Sequence, residues 1–461
     1  MPSVPAAPER EAPPRWSPIG YRFTSVDEKP QGPQDAFIGL RPLPLTNKRA
    51  VGGPVSRTLL AAYFAGAGLC WLAATIATIF AADDLAKAQP LATAPVLAVH
   101  LLALGALPLA VSGASFHLLP VMLRNDLPSQ RALWVALPLL AGGILVASGV
   151  GSGAETRVWI GATAVSSGLA IVLWEVGTLI VRAPRGRTLI TSRAGVALAC
   201  LHVVAALVLG AVIFDQDQPF ADIGYERWLL IHLHLALVGW IALLILTVGR
   251  NLAPMLALAP AAPPRRWPIH ELVLVLGLWL LLAGLASSSR AVTVAGALVI
   301  ALAVGRFAAF VLRILKTRRG RLEAPLAHLA VGAFFLLQAI GLGLAAALDP
   351  NRHRFAIAYV VLLLLGWAGG VVIGHMTKLL SLSLWVWWPP GPRPKQAALY
   401  PRALGLAETV AFLVGVEVLV GGILAASPWL ARGGAVLVCV SAVLTVAGMS
   451  AAWARRAPET G

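Results

Sequence analysis

The sequence is short of charge. Asp, Glu, Lys and Arg make up 12% of its 461 residues, whereas 58% are hydrophobic. A chain of this length with so few charges excludes an ordinary water-soluble surface, and the apolar excess fits a polytopic membrane protein. Cysteine is scarce as well. Cys70, Cys200 and Cys439 all sit inside apolar runs and form no CxxC pair. That pattern excludes a disulfide framework or a thiolate metal site and leaves three small core residues. Acidic residues are outnumbered, 20 against 36 basic ones, for a formal net charge of +16. Such an excess can signal nucleic acid, but its placement argues otherwise.

The long apolar runs show where the basic residues lie. A spanning helix needs roughly 20 apolar residues. Twelve segments meet that need, at about 57–82, 92–123, 131–150, 157–183, 193–214, 227–258, 268–288, 290–316, 325–348, 354–384, 401–426 and 429–453. Loops after even-numbered segments hold most of the Lys and Arg, including Arg182, Arg185, Arg187, Arg313, Arg318 and Arg319. The opposite loops carry Asp83, Asp84, Asp215 and Asp217. By the positive-inside rule this predicts both termini on the cytoplasmic side of a plasma membrane. The positive charge then records topology, and no nucleic-acid partner is expected.

Residues 1–56 are polar and rich in Pro and Arg, with no cleavable signal, and read as a disordered cytoplasmic tail. The membrane domain spans 57–453, and 454–461 form a second tail. The loop FDQDQPFADIGYER between segments five and six reads as solvated, and WVWWPPGP after segment ten as an interfacial aromatic anchor.

Three of the segments echo one another. They are Val99 to Leu123, Ile231 to Leu256 and Tyr359 to Trp385, in segments two, six and ten. Aligned without gaps, Gly105, Gly239 and Gly366 coincide, as do Pro120, Pro254 and Ser381. The chain therefore reads as three four-helix units, approximately 57–183, 193–316 and 325–453.

Ionisable side chains within hydrocarbon are costly and are candidates for function. His100 and His234 share one repeat position near the starts of their segments, and His232 and Tyr359 share another two residues earlier. These form an outer layer. His117, Asn251 and Lys378 are equivalent near the other end, with His375 one turn from Lys378. These form an inner layer. A pair of imidazoles facing one another in a helical bundle could hold a metal or haem; each could instead bond a neighbouring carbonyl in a packed interface. His232 and His234 point roughly 200° apart on a helix, so only one should face the bundle interior, and the repeat favours His234. His117 and Lys378 are also explained by contact with lipid headgroups. His270, His328 and His353, at segment starts or in a loop, read as surface residues. Glu175 and Glu417 lie well inside the fourth and eleventh segments and could relay protons, with Arg250 or Arg306 as possible partners.

Twelve helices in three arcs, with histidines on the second, sixth and tenth, resemble subunit I of the haem–copper oxidases. HLLALGALPLAVSGASFHLLPVML (100–123) and GWAGGVVIGHMTKLL (366–380) are similar to repeats in NnrS-type and related oxidase-subunit-like membrane proteins. The resemblance implies an all-α, twelve-helix membrane fold in three pseudo-symmetric units. It implies that His100 matches the low-spin haem ligand on the second helix. His232 or His234 falls on the helix that supplies a copper ligand, and His375 on the helix that supplies a His-x-His pair. The sequence departs from that pattern in three ways. The second histidine after His375 is missing, segment seven has only His270, and no Tyr follows His232 or His234 by four residues. His375 also lies about 18 Å deeper than His100 by helical rise.

The expectation is a haem- or copper-binding redox or nitric-oxide-response membrane protein that is not a terminal oxidase. It would be embedded in lipid and could meet a redox partner or other membrane subunits. A cofactor-free assembly subunit and a polytopic transporter are the competing classes. Three units of four suit the oxidase-like fold better than the two halves usual in transporters.

Overall fold

In a computed structural model the described residues are 55–123, 129–182, 187–214, 224–260, 267–319, 322–349, 351–388, 392 and 394–456. Residues 1–54 and 457–461 of the expected terminal tails, the loop at 215–223 and residues 389–391 of the tryptophan–proline run lie outside them. Among the described residues there is no strand, and twelve helices are long and apolar enough to cross a membrane. They are α1 (Arg57–Ala86), α2 (Thr93–Pro120), α3 (Gln130–Val150), α4 (Glu155–Arg182), α5 (Arg193–Phe214) and α6 (Tyr225–Ala257). Then follow α7 (Ile269–Ala286), α8 (Arg290–Thr317), α9 (Ala324–Leu348), α10 (His353–Val386), α11 (Arg402–Leu424) and α12 (Pro428–Ala454). Below, "upper" denotes the end at which α2, α6 and α10 begin.

Local sequence explains several boundaries. Ser56 and Ser129 cap α1 and α3, their hydroxyls accepting from the Leu59 and Ala132 amides at 3.2 Å. α3 is interrupted between Leu140 and Gly143, where Pro138 removes a donor and Gly142 and Gly143 follow. α1 stops at Ala86, where Arg354 from α10 donates to the Ala86 carbonyl and to that of Ile423, 3.1 Å away at the end of α11. One guanidinium thus satisfies terminal carbonyls of two helices.

The distribution of apolar surface is that of a protein solvated by lipid. Large apolar side chains point outward, among them Phe80, Trp174, Val181, Leu276 and Trp429. Inside, α1 packs on α12, α4 on α5 and α8 on α9, so that consecutive groups of helices follow one another around the bundle. α10 is the most buried span and touches both α2 and α6.

The three echoing helices share a local irregularity. Each carries a π-helical stretch over the equivalent glycine: Leu101–Ala106, Leu235–Ala242 and Val361–Gly369. His100 and His234 immediately precede theirs. A π turn inserts one extra residue and redirects the side chains around it, which is why such turns recur at functional positions. The glycines themselves lie against the preceding odd helix. A Cβ on Gly105 would meet Cys70 at 3.0 Å, on Gly239 would meet His202 at 2.8 Å, and on Gly366 would meet Phe335 at 2.9 Å.

Small residues let helices approach where lipid offers no hydrophobic drive. In the α11–α12 hairpin, a Cβ on Gly434 would come within 2.2 Å of the Leu419 amide nitrogen, and one on Gly422 within 2.3 Å of that of Ala431. Backbone cannot move aside as a side chain can. Gly434→Ala should therefore lower stability by about 1–3 kcal/mol. Gly433→Ala, where no atom lies within 4 Å, should be neutral or slightly stabilising. Thermal unfolding of the detergent-solubilised variants distinguishes the two.

Candidate functional site

Three histidines are held in the same way. His100 Nδ1 lies 2.8 Å from the Val96 carbonyl, His234 Nδ1 2.7 Å from that of Leu230, and His375 Nδ1 2.7 Å from that of Val371. Each partner is the carbonyl four residues earlier on the same helix. A carbonyl only accepts, so Nδ1 carries the proton and donates. That fixes the tautomer, and Nε2 is left with an available lone pair. The same arrangement orients ligating imidazoles in metal proteins. All three side chains are half-buried although each lies within the bundle.

The structure separates them in space. His234 borders a cavity of about 1000 Å³ among α6, α7, α8, α9 and α10, a size that suits a cofactor or other large ligand. Its walls are mostly apolar, with Leu285, Ile300, Val304 and Leu336 on three helices and Trp367 below. Tyr359 faces His234 across it. The Tyr359 hydroxyl is 3.3 Å from His234 Nε2, and the two rings stack with centroids 6.0 Å apart and planes inclined by 22°. At the upper mouth stand Arg227, Arg290, Glu226 and His353. Arg227 is steadied there by the Ser288 hydroxyl. The cavity therefore combines an apolar body, one oriented imidazole and a cationic rim.

His375 borders a second cavity, about 100 Å³ and almost wholly apolar, where α2, α6 and α10 meet. His100 is not among the residues lining either cavity. It lies close enough to His232 for their charges to interact. His232 itself turns away from the large cavity, its Nδ1 donating to the Ala206 carbonyl of α5 at 2.9 Å. The angular argument from sequence is thus realised, with His234 facing the cavity and His232 facing α5. His117 is near the lower end, with Nε2 3.3 Å from the Ser383 hydroxyl and its ring edge-on to Trp387 at 5.9 Å.

The expected carboxylates have other partners than those anticipated. Glu175 Oε2 accepts from the Ser129 amide at 2.9 Å, tying α4 to the cap of α3. Glu417 Oε1 accepts from Gln338 Nε2 of α9 at 2.6 Å. Arg250 is paired with Glu271 of α7 at 3.1 Å, both side chains buried. Lys378, expected among lipid headgroups, forms an ion pair with Glu323.

His328 corrects the sequence reading. Its position near a segment start predicts a surface residue, but it is 2% exposed. Its Nε2 meets Glu408 Oε2 at 2.7 Å. Glu271, Glu408 and His328 all sit within the first two turns of their helices, where sequence alone predicts exposure. The available signal was that three odd helices each carry an ionisable group within the first two turns of a largely apolar span.

Among the described residues, no three His, Cys, Asp or Glu side chains come together as a metal site. No protein-family model matches the chain, and no curated protein matches it.

A buried ion pair is far costlier to halve than to remove, because one partner alone is an uncompensated charge. Glu271→Gln and Arg250→Met should each lower stability by about 3 kcal/mol, and the double variant should recover much of the loss. Denaturation of the three variants in one detergent checks this.

Proposed function

We propose that this is an integral membrane haem-binding protein of the oxidase-subunit-I-like type, with a redox or nitric-oxide-response role and no terminal oxidase activity. The observation that carries the reading is His234. Its Nδ1 is committed to the Leu230 carbonyl, and its Nε2, 3.3 Å from the Tyr359 hydroxyl, lies at the wall of a cavity of about 1000 Å³. The recurring π turns and glycine contacts of α2, α6 and α10 support the three-unit, oxidase-like arrangement. The basic loops support cytoplasmic termini.

The residues present fit the group. His234 would hold the group through its imidazole. Trp367, Leu336 and Val304 would supply an apolar surround, and Arg227 and Arg290 at the mouth would supply cationic partners for its carboxylates. When bound, haem supplies one-electron redox chemistry and a coordination position for a small ligand. For His234 to hold the group, Tyr359 would have to give up its contact with Nε2, now 3.3 Å. A copper centre finds less support, since the described residues bring together no three ligands. The transporter and assembly-subunit classes draw on one specific feature, that Tyr359 already occupies the Nε2 lone pair. On that reading the cavity takes an amphipathic anion without a metal.

The visible spectrum of the purified protein decides. A Soret band, a reduced-minus-oxidised difference and stoichiometric iron are expected. His234→Ala should abolish or shift the band, and Tyr359→Phe should retain it. A colourless, iron-free protein overturns the reading, and an unchanged spectrum in His234→Ala overturns the ligand.

A further inference from the structure

At the lower end of the bundle, away from the large cavity, α9, α11 and α12 close around a second polar group. His328 of α9 and Glu408 of α11 are each 2% exposed. Glu408 Oε2 meets His328 Nε2 at 2.7 Å. Glu408 Oε1 accepts from the Ser441 and Thr445 hydroxyls of α12, both at 3.0 Å and one turn apart. Both carboxyl oxygens are therefore satisfied. The imidazole packs on Phe412, ring centroids 5.5 Å apart. Gly374 of α10 lies so close that a Cβ there would come within 2.5 Å of the His328 Cβ. The ring is held firmly, yet its Nδ1 is buried and has no hydrogen-bond partner among the described residues.

The proton count makes that orphan atom informative. With an ionised carboxylate and a neutral imidazole protonated at Nε2, the pair has a net charge of −1 and Nδ1 is a bare acceptor. Adding one proton at Nδ1 neutralises the pair. In the neutral pair the shared proton sits on either Nε2 or Oε2, and Nδ1 carries a hydrogen in both cases. No protonation state therefore satisfies Nδ1 from within the protein. A buried polar atom left so costs about 1–3 kcal/mol unless water reaches it.

We propose that the Glu408–His328 pair is a proton-binding site and that water at His328 Nδ1 is its point of exchange. An excess proton arriving on that water as hydronium passes to Nδ1, breaking one O–H bond, forming the Nδ1–H bond and leaving neutral water. The Nε2 proton can then pass to Glu408 Oε2, breaking one N–H bond and forming one O–H bond. The Ser441 and Thr445 hydroxyls stabilise the ionised carboxylate and so set the affinity of the site. The neighbouring titratable groups are few. The Tyr400 hydroxyl, in the segment before α11, interacts with Glu408; burial and that negative charge push its pKa upward, so it stays neutral. His375 of α10 is within electrostatic range of His328. α12 presents the two hydroxyls, and the Lys378–Glu323 ion pair lies between α10 and the start of α9. The site does not depend on what occupies the large cavity.

Infrared difference spectroscopy of the full-length protein in lipid nanodiscs tests this. As pH falls, a carboxylic acid C=O band should grow together with an imidazole band, and both should shift on transfer to D2O. Glu408→Gln should remove the carboxylic acid component. Ser441→Ala and Thr445→Ala each delete a hydrogen bond to the ionised form and should raise the midpoint by about one pH unit. Should Glu408→Gln fail to fold, the two hydroxyl variants carry the test. Unmoved midpoints in both, or bands inert to D2O, overturn the proposal and leave a sealed structural pair.

Discussion

Hydrocarbon gives a backbone amide or carbonyl nothing to bond, and the whole molecule follows from that constraint. Among the described residues the answer is helices, with the irregular backbone confined to ends and to places covered by other protein. The three π turns of α2, α6 and α10 lie in the most enclosed part of the bundle. Arg354 spans the ends of α1 and α11 because their last carbonyls have no water to rely on.

The same constraint sorts the polar side chains. Some use the backbone of their own helix, as His100, His234 and His375 do, and this leaves Nε2 of each as the acceptor nitrogen. Others tie helices together, as do Arg250 with Glu271 and Glu417 with Gln338. In the first kind the second nitrogen stays an acceptor, which at His234 meets the Tyr359 hydroxyl at 3.3 Å. The second kind points to stability, because both partners are consumed. His328 belongs to neither kind: one nitrogen is consumed by Glu408 and the other is left over.

Close approach is the other requirement. Between helices solvated by lipid, association rests on contact, so glycines mark the places where the chains touch. Gly105, Gly239 and Gly366 recur at such places on three helices, and Gly374 makes room for the His328 ring. These glycines place the imidazoles as much as the histidines' own helices do.

The twelve spans, their approximate ends, the echo among three of them and the opposed directions of His232 and His234 were all legible in the sequence. They depend on apolar length, on the spacing of identical residues and on the fixed angle per helical residue, which are local or periodic properties. The depth argument likewise separated His375 from His100. The partners were not legible. Which residue Arg250 pairs with, that Tyr359 covers His234, that Glu408 and His328 meet across two helices and that a cavity opens between α6 and α10 all depend on contacts between distant parts of the chain. Burial near a helix start misled the reading of His328, because exposure there is set by the neighbouring helices rather than by distance along its own. Sequence fixes what each helix can offer, and only packing decides which offers are met, since a hydrogen bond or a cavity exists only between surfaces that the fold brings together.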